Sequence, residues 1–391
     1  MVDWRAAARD KRAAQAALIP PALRLPSVPD GLVDAVGHVE SCGLLSAEEL
    51  RLTAATDGRA LAGALAAGEV SSAGVAAAFV KRAAALHQLT GCCTELFFDA
   101  ALRRAEALDR HLRETGEVVG PLHGLPVSVK DGFDVEGVDS TVDPWNVDPR
   151  LFPVPWRKEL AELPKKPLKL AFIFDDGVVK PQPPVARAIR EAAEKLKAAG
   201  HEVVEWDTSL HEEGIKLWYK AVLADGGKKC RDTCALIGEP LIEGMVVGQE
   251  KDFLSIAQRQ ELSATKLAFE KAFLAQWSAA GIDGIVMPVL PWVNYTPKTW
   301  VRSKQWLGYS ALWNLLNYAA LTVPGSRVDA KVDQPGEEWK NHIPRNDSDA
   351  FNHEQYDVEL VKGMPVGLQV VTGRFGEEKA VAIAKVLESL K

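Results

Sequence analysis

Apolar residues recur at helical spacing through the N-terminal part of the chain. Trp4 to Leu18 is rich in Ala and Arg, and Ile19-Pro20-Pro21 ends it, because proline cannot continue the ladder. Ser46 is followed three positions on by Glu49, which marks a capped helix start. Residues Asp57 to Ala66 and Ser71 to Gln88 predict two more helices, the second carrying Val75, Phe79 and Ala83 on one face. Asp99 to Thr115 predicts another, ended near Gly116.

The period then changes. Val127, Ser128 and Val129 predict a short buried strand, opened by the turn pair Gly124 and Pro126 and carrying Lys130 at its end. Pro144, Pro149, Pro153, Pro155, Pro164 and Pro167 punctuate residues 142–167, which predicts an extended arm. A β-α-β pattern follows. Leu168 to Phe174 is a strand, Pro184 to Ala199 a helix stopped by Gly200, and His201 to Trp206 a parallel return strand. Helices dominate from Glu212 to Ala280. Gly284 to Pro288, Leu321 to Pro324 and Pro365 to Thr372 read as strands, with helices at Ser310 to Tyr318 and Glu377 to Leu390. Residues 329–358 are polar and acidic and read as a surface excursion. The fold class is α/β, a mixed β-sheet flanked by helices.

Composition narrows the function. The 391 residues are 47% hydrophobic, enough for a substantial core. A net charge of −7 argues against nucleic acid or an anionic membrane as partner. No apolar run reaches the length of a membrane span, and the N-terminus lacks the apolar core of a secretory signal. Five cysteines fit no disulfide framework and point to a reducing, cytoplasmic setting.

Lys130 is the first candidate for chemistry. A buried ammonium loses hydration and becomes a possible proton acceptor, whereas one that snorkels from a strand end stays an ordinary cation. Ser128 and Lys130 share a strand face, but an extended i, i+2 pair is usually too far apart for a nucleophile and its base. Cys230 and Cys234 are four apart on a helix and lack further ligands at zinc spacing, so a packed helix face is the better reading. Cys92 and Cys93 read as small core residues. Trp292, Trp300, Trp306 and Trp313 line an acyl pocket or belong to the core, with core favoured. The glycines of Ala224-Asp225-Gly226-Gly227 and of Gly363 to Gly367 match no phosphate loop. No cofactor and no metal are expected.

The run Gly120-Pro121-Leu122-His123-Gly124-Leu125-Pro126-Val127-Ser128-Val129-Lys130-Asp131 resembles the lysine motif of the amidase signature family. Further blocks match in the family's order: Cys92 to Phe98, Gly137 to Thr141, Ala224 to Gly227, Met287 to Trp292 and Gly363 to Gln369. The resemblance runs to the fungal general amidase and acetamidase branch, which is similar to fatty acid amide hydrolases. It covers nearly the whole chain and implies one amidase-like domain, residues 1–391. It also implies a Ser-Ser-Lys triad hydrolysing carboxylic amides, a small amide as substrate, and Lys130 as the triad's base.

The chain departs from that family in one place. A Gly- and Ser-rich segment should follow the lysine and supply the nucleophilic serine, the bridging serine and the oxyanion amides. Here Asp139-Ser140-Thr141 runs directly into Asp143-Pro144-Trp145, so a segment on the order of a hundred residues is missing near 141–143. Two readings stay open. One is an amide hydrolase; the other is a non-catalytic remnant or interaction protein. Loss of central strands should uncover sheet edges, to be covered by new pairing, an oligomer or a partner. Lys130 is expected to keep a semi-buried place at its strand end, held by Val127, Val129 and Phe133.

Overall fold

The computed structural model describes residues 3–54, 57–130, 155–296, 299–302 and 306–390, the side chains of Trp300 and Arg302 excepted. The chain divides into two compact units, 2–153 and 154–391.

The regular structure of the first unit's described residues is helical, with α-helices Trp4–Ala17, Ala35–Ser41, Ala47–Thr53, Gly58–Ala66, Ser72–Thr90 and Phe98–Thr115. Its caps are those that the residue types dictate. Ser46 Oγ accepts from Glu49 N at 3.2 Å while Glu49 returns a carboxylate to Ser46 N at 2.8 Å. The helix Ser72–Thr90 is capped twice, by Ser71 and by Asp109, whose carboxylate accepts from Ser72 N and Ala73 N at 2.6 and 3.0 Å. This helix is the unit's axis. Val75, Ala78, Ala84 and Ala85 are fully buried on it, and three separate apolar clusters form around it.

The anticipated lysine strand does not form. After a turn at residues 121–124, residues 125–130 have no regular structure. Val127 is 66% exposed, Val129 54%, and Ser128 and Lys130 are exposed as well. The physical reason is that a strand is a property of a ladder, and two valines flanking a serine without a paired neighbour among the described residues have nothing to bury against. Among the described residues, every strand lies in 154–391. Phe133 and the carboxylates at 131–143 lie outside the described residues.

The second unit is built on a five-stranded sheet of order β2-β1-β3-β5-β4. The strands are β1 (Lys169–Phe172), β2 (Glu202–Glu205), β3 (Gly284–Pro288), β4 (Ala319–Arg327) and β5 (Pro365–Thr372). β1 pairs in parallel with β2 and β3, and β5 pairs antiparallel with β3 and β4. The mixed α/β architecture is therefore as expected. Alternation sorts the side chains. Leu170, Phe172, Val286, Leu368 and Val370 face a core shared with helices Pro183–Ala198 and Glu377–Ser389. Ala171, Ile173, Ile285, Met287 and Val371 face the opposite core, under helices His211–Val222, Ile256–Ala280 and Gly308–Leu316. Burial of each large side chain stabilises by about 1.5–3 kcal/mol. Both faces of β3 are covered, so its residues form one continuous buried run.

The described part of the arm is anchored, and one expectation changes after it. Within 155–167 the chain is docked on the last helix: Arg157 Nη2 pairs with Glu378 Oε2 at 2.6 Å, and Lys385 Nζ donates to Ala161 O at 2.7 Å. Residues 329–358 are not a surface excursion. They contain short helices Glu337–Lys340, Asp347–Glu354 and Val358–Val361, and bury Asp333, Trp339, Asp349 and Asn352. Their polarity serves hydrogen bonds made inside the unit, since buried polar groups persist when they are paired.

Candidate functional site

The residues that carry the sequence match fall at different places. Ser128 and Lys130 are exposed, and neither hydrogen-bonds another described residue. The dyad is thus not assembled. Residues Gly137 to Thr141, Asp143 and the junction itself lie outside the described residues.

In the second unit the matching blocks do meet. Met287 and Pro288 on β3 pair with Gln369 and Leu368 on β5. Gln369, only 4% exposed, spends both amide hydrogens there. Its Nε2 donates to Pro288 O at 2.9 Å and to Tyr309 O at 2.7 Å. Gln182 closes the same end: its backbone N donates to Pro291 O at 2.7 Å and its Oε1 accepts from Val293 N at 3.0 Å.

This end of the sheet is the carboxyl end of the parallel strands β1 and β3, the place where open α/β sheets put ligand sites. The loop after β1 carries Asp176. Its Oδ1 accepts from Val178 N and Val179 N at 2.9 and 3.0 Å, and its Oδ2 accepts from Trp306 Nε1 at 2.5 Å. Burial pushes this carboxyl up to about 6, against the pull of the donated hydrogens from Val179, Trp306 and Val178. Tyr309 donates to Val179 O at 3.0 Å and accepts from Asp176 N at 3.2 Å.

Residues 342–352 clamp the loop from outside. Arg345 forks onto Asp175 with two bonds of 2.7 Å. Asp349 accepts from Lys180 N at 2.9 Å and Arg345 N at 3.0 Å, and is bonded to His342 Nε2 at 2.7 Å. Asn352 Nδ2 donates to Lys180 O at 2.7 Å. The arrangement fixes backbone. Asp176 could hold a proton near neutral pH, but its oxygens are occupied and it is 5% exposed. No single residue of this cluster stands out in the sequence. The signal that could have found it is an Asp-Asp-Gly turn immediately after the first parallel strand.

The described tryptophans of that set pack or hydrogen-bond within the unit. Trp313 is core, and Trp306 is spent on Asp176. Trp292 stacks on Tyr295 with ring centres 5.2 Å apart. The cysteines are less buried than anticipated. Cys92 is exposed with its sulfur 3.8 Å from that of Cys93, and helix Lys228–Ala235 buries neither Cys230 nor Cys234. Among the described residues no cluster of His, Cys, Asp and Glu could hold a metal ion, and no helix is long and apolar enough to cross a membrane.

Comparison with known proteins identifies the lineage. The chain is 27% identical to Amidase 1 of Gibberella moniliformis, over 87% of this chain and 94% of that protein. It is 25% identical to an acetamidase of Emericella nidulans over 99% of this chain and 98% of the relative, in an alignment of 556 positions. An alignment of that length contains long stretches where the relative has residues and this 391-residue chain has none. Among solved structures, a fatty acid amide hydrolase superposes with a TM-score of 0.79 at 23% identity, covering 98% of this chain and 94% of that one, which establishes a shared fold. The profile of the Amidase family matches residues 74–143 and 142–381, so the chain belongs to the amidase family of hydrolases.

Proposed function

We propose that this chain is an amidase-family hydrolase by descent that is catalytically silent as it stands, with Lys130 the surviving counterpart of the family's base. One observation carries the reading. The two stretches of the family match meet at 142–143, which leaves no residues between the lysine block and the C-terminal part for a Gly- and Ser-rich segment. The junction lies within one family domain, near residues 141–143.

The chemistry makes the consequence specific. A serine oxygen must attack the amide carbonyl while a second serine passes its proton to a neutral lysine. The acyl-enzyme then needs backbone amides to hold its oxyanion. Lysine serves as a base where burial strips its hydration, and Lys130 is exposed. Ser128 is exposed too, which supports no substitute nucleophile. The ancestral substrate class is a small carboxylic amide, in keeping with the acetamidase likeness. The five unpaired thiols support a reducing, cytoplasmic setting.

The test is a labelled fluorophosphonate probe together with ammonia release from acetamide and hexanamide. The expected result is neither labelling nor turnover. Turnover that disappears in Ser128→Ala would overturn the proposal and make Ser128 and Lys130 a working pair.

A further inference from the structure

At the amino end of β3, away from the Asp176 loop, β5 ends at Thr372 and the chain turns through Gly373-Arg374-Phe375-Gly376 into the last helix. A groove of about 460 Å³ opens between this turn and helix Ile256–Ala280. That size falls among small-molecule sites, which run from about 300 to 1,000 Å³. Its walls are Leu267, Leu274 and Trp277 of the long helix, with Leu316 and Tyr318 opposite. Leu267 and Leu274 are 52% and 55% exposed, so apolar surface here faces water rather than core. Trp277 and Tyr318 meet edge to face, ring centres 5.4 Å apart, and give the groove a rigid back.

The polar part of the groove is cationic. Arg374 and Lys271 stand in its lining against a single carboxylate, Glu270. The guanidinium is held at two points: Arg374 Nε donates to Leu316 O at 2.8 Å and Nη2 pairs with Glu270 Oε1 at 2.9 Å. Its Nη1 donors stay uncommitted among the described residues, and the side chain is 45% exposed. Lys266 also lies 3.6 Å from Glu270, so that carboxylate is already answered. The turn itself is strained in support. Phe375 takes a φ of 54°, a left-handed conformation that a bulky side chain adopts at a cost. Arg157 donates to Phe375 O, and Thr372 Oγ1 donates to Gly376 O at 2.8 Å, which holds it there.

We propose that this groove binds an amphipathic carboxylate, a medium-length alkyl chain packed on Leu274 and Trp277 with its carboxylate on Arg374. An alkyl ammonium of the same length meets like charge at Arg374 and Lys271. An alcohol fills the same apolar surface without the charge-assisted hydrogen bonds.

The test is calorimetric titration of the full chain with octanoate, octan-1-ol and octylamine at one ionic strength. Octanoate should bind saturably at one site, the alcohol about tenfold more weakly, and the amine not at all. R374Q should bring octanoate to the level of the alcohol. L274D, at an exposed position that leaves the core untouched, should abolish octanoate binding. If R374Q fails to fold, L274D and the ligand series decide alone. Equal binding of the three ligands, no saturable octanoate binding, or an unchanged affinity in L274D overturns the proposal. The readout is binding and is independent of turnover.

Discussion

Gln369→Glu tests whether the end of β3 is held by one buried amide. The substitution keeps shape and removes both donors. Gln369 Nε2 now serves Pro288 O at 2.9 Å and Tyr309 O at 2.7 Å. An ionised carboxylate would face two carbonyl oxygens in a site that is 4% exposed, so the glutamate must keep its proton. A protonated glutamate restores one bond and leaves one acceptor unserved, a loss of about 1–3 kcal/mol. Tyr309 O also accepts from Trp313 Nε1 at 3.1 Å, which favours the lower end. The pH dependence adds to this. A folded-state pKa raised above the unfolded value of about 4.3 gives a contribution that is whole below that value and lost as pH rises through the folded pKa. Holding the proton to pH 7 costs about 1.4 kcal/mol per unit, or roughly 4 kcal/mol more. A total of about 5 kcal/mol rivals the whole stability of many domains. The assay is the urea midpoint of parent and variant at pH 4.5 and 7.5. A variant whose deficit is the same at both pH values refutes the buried-donor account. Gln369→Leu should lose about 2–4 kcal/mol with no pH dependence, which separates lost bonds from buried charge.

Three other outcomes are expected. Burial lifts Asp176 to about 6, above an unfolded value of about 3.9, so the native state binds the extra proton and this group's contribution falls as pH rises from about 4 to 6, by about 3 kcal/mol; Asp176→Asn should remove that slope from the urea midpoints. Asp333→Ala removes the carboxylate onto which Arg187 forks at 2.7 and 2.9 Å and leaves Arg187 with Glu191 Oε1 and Arg327 O, so it should destabilise by about 1.5–3 kcal/mol in the same assay. Lys130→Met should change the melting temperature little, since exposed substitutions stay within about 0.5 kcal/mol; a large change would return Lys130 to a packed site.

The helices were legible because their signals are local. Ser46 with Glu49, Ser71 before Ser72–Thr90, and Gly116 after Thr115 are each complete within a few residues. The strands β1, β3 and β5 were legible because apolar runs between Gly and Pro persist when both faces are covered. Val127 to Val129 shows the limit of that rule. The same residue types were present, and among the described residues no strand pairs with them. Residues 329–358 failed for the opposite reason. Asp349, Asn352 and His342 look like surface in sequence, because polarity does not say whether a hydrogen bond goes to water or to Lys180. Asp176 was hidden likewise: its burial depends on Trp306 and Tyr309, more than a hundred residues on. The proposed break at 141–143 rests on motif order, and the family match likewise runs in two stretches, 74–143 and 142–381.

On the proposed reading, folding and catalysis separate in this chain. Residues 154–391 contain a sheet whose two faces each own a core, one shared with helices Pro183–Ala198 and Glu377–Ser389 and one with helices His211–Val222, Ile256–Ala280 and Gly308–Leu316. Such a unit can satisfy its apolar surface from its own residues. Its edges are also managed. On β4, Pro324 cannot donate to an added strand, and the register shifts between Pro324 and Ser326. On β2, Glu202 and Glu205 are exposed, and Glu202 pairs with Lys169 at 3.2 Å. Charges, a proline and a bulge are the devices that keep sheet edges from recruiting other chains. A serine relay has no such redundancy. It needs a nucleophile, a bridge, a base and an oxyanion hole in one place, so on the proposed reading loss of a segment that carries two of them would remove the reaction while the sheet keeps its cores.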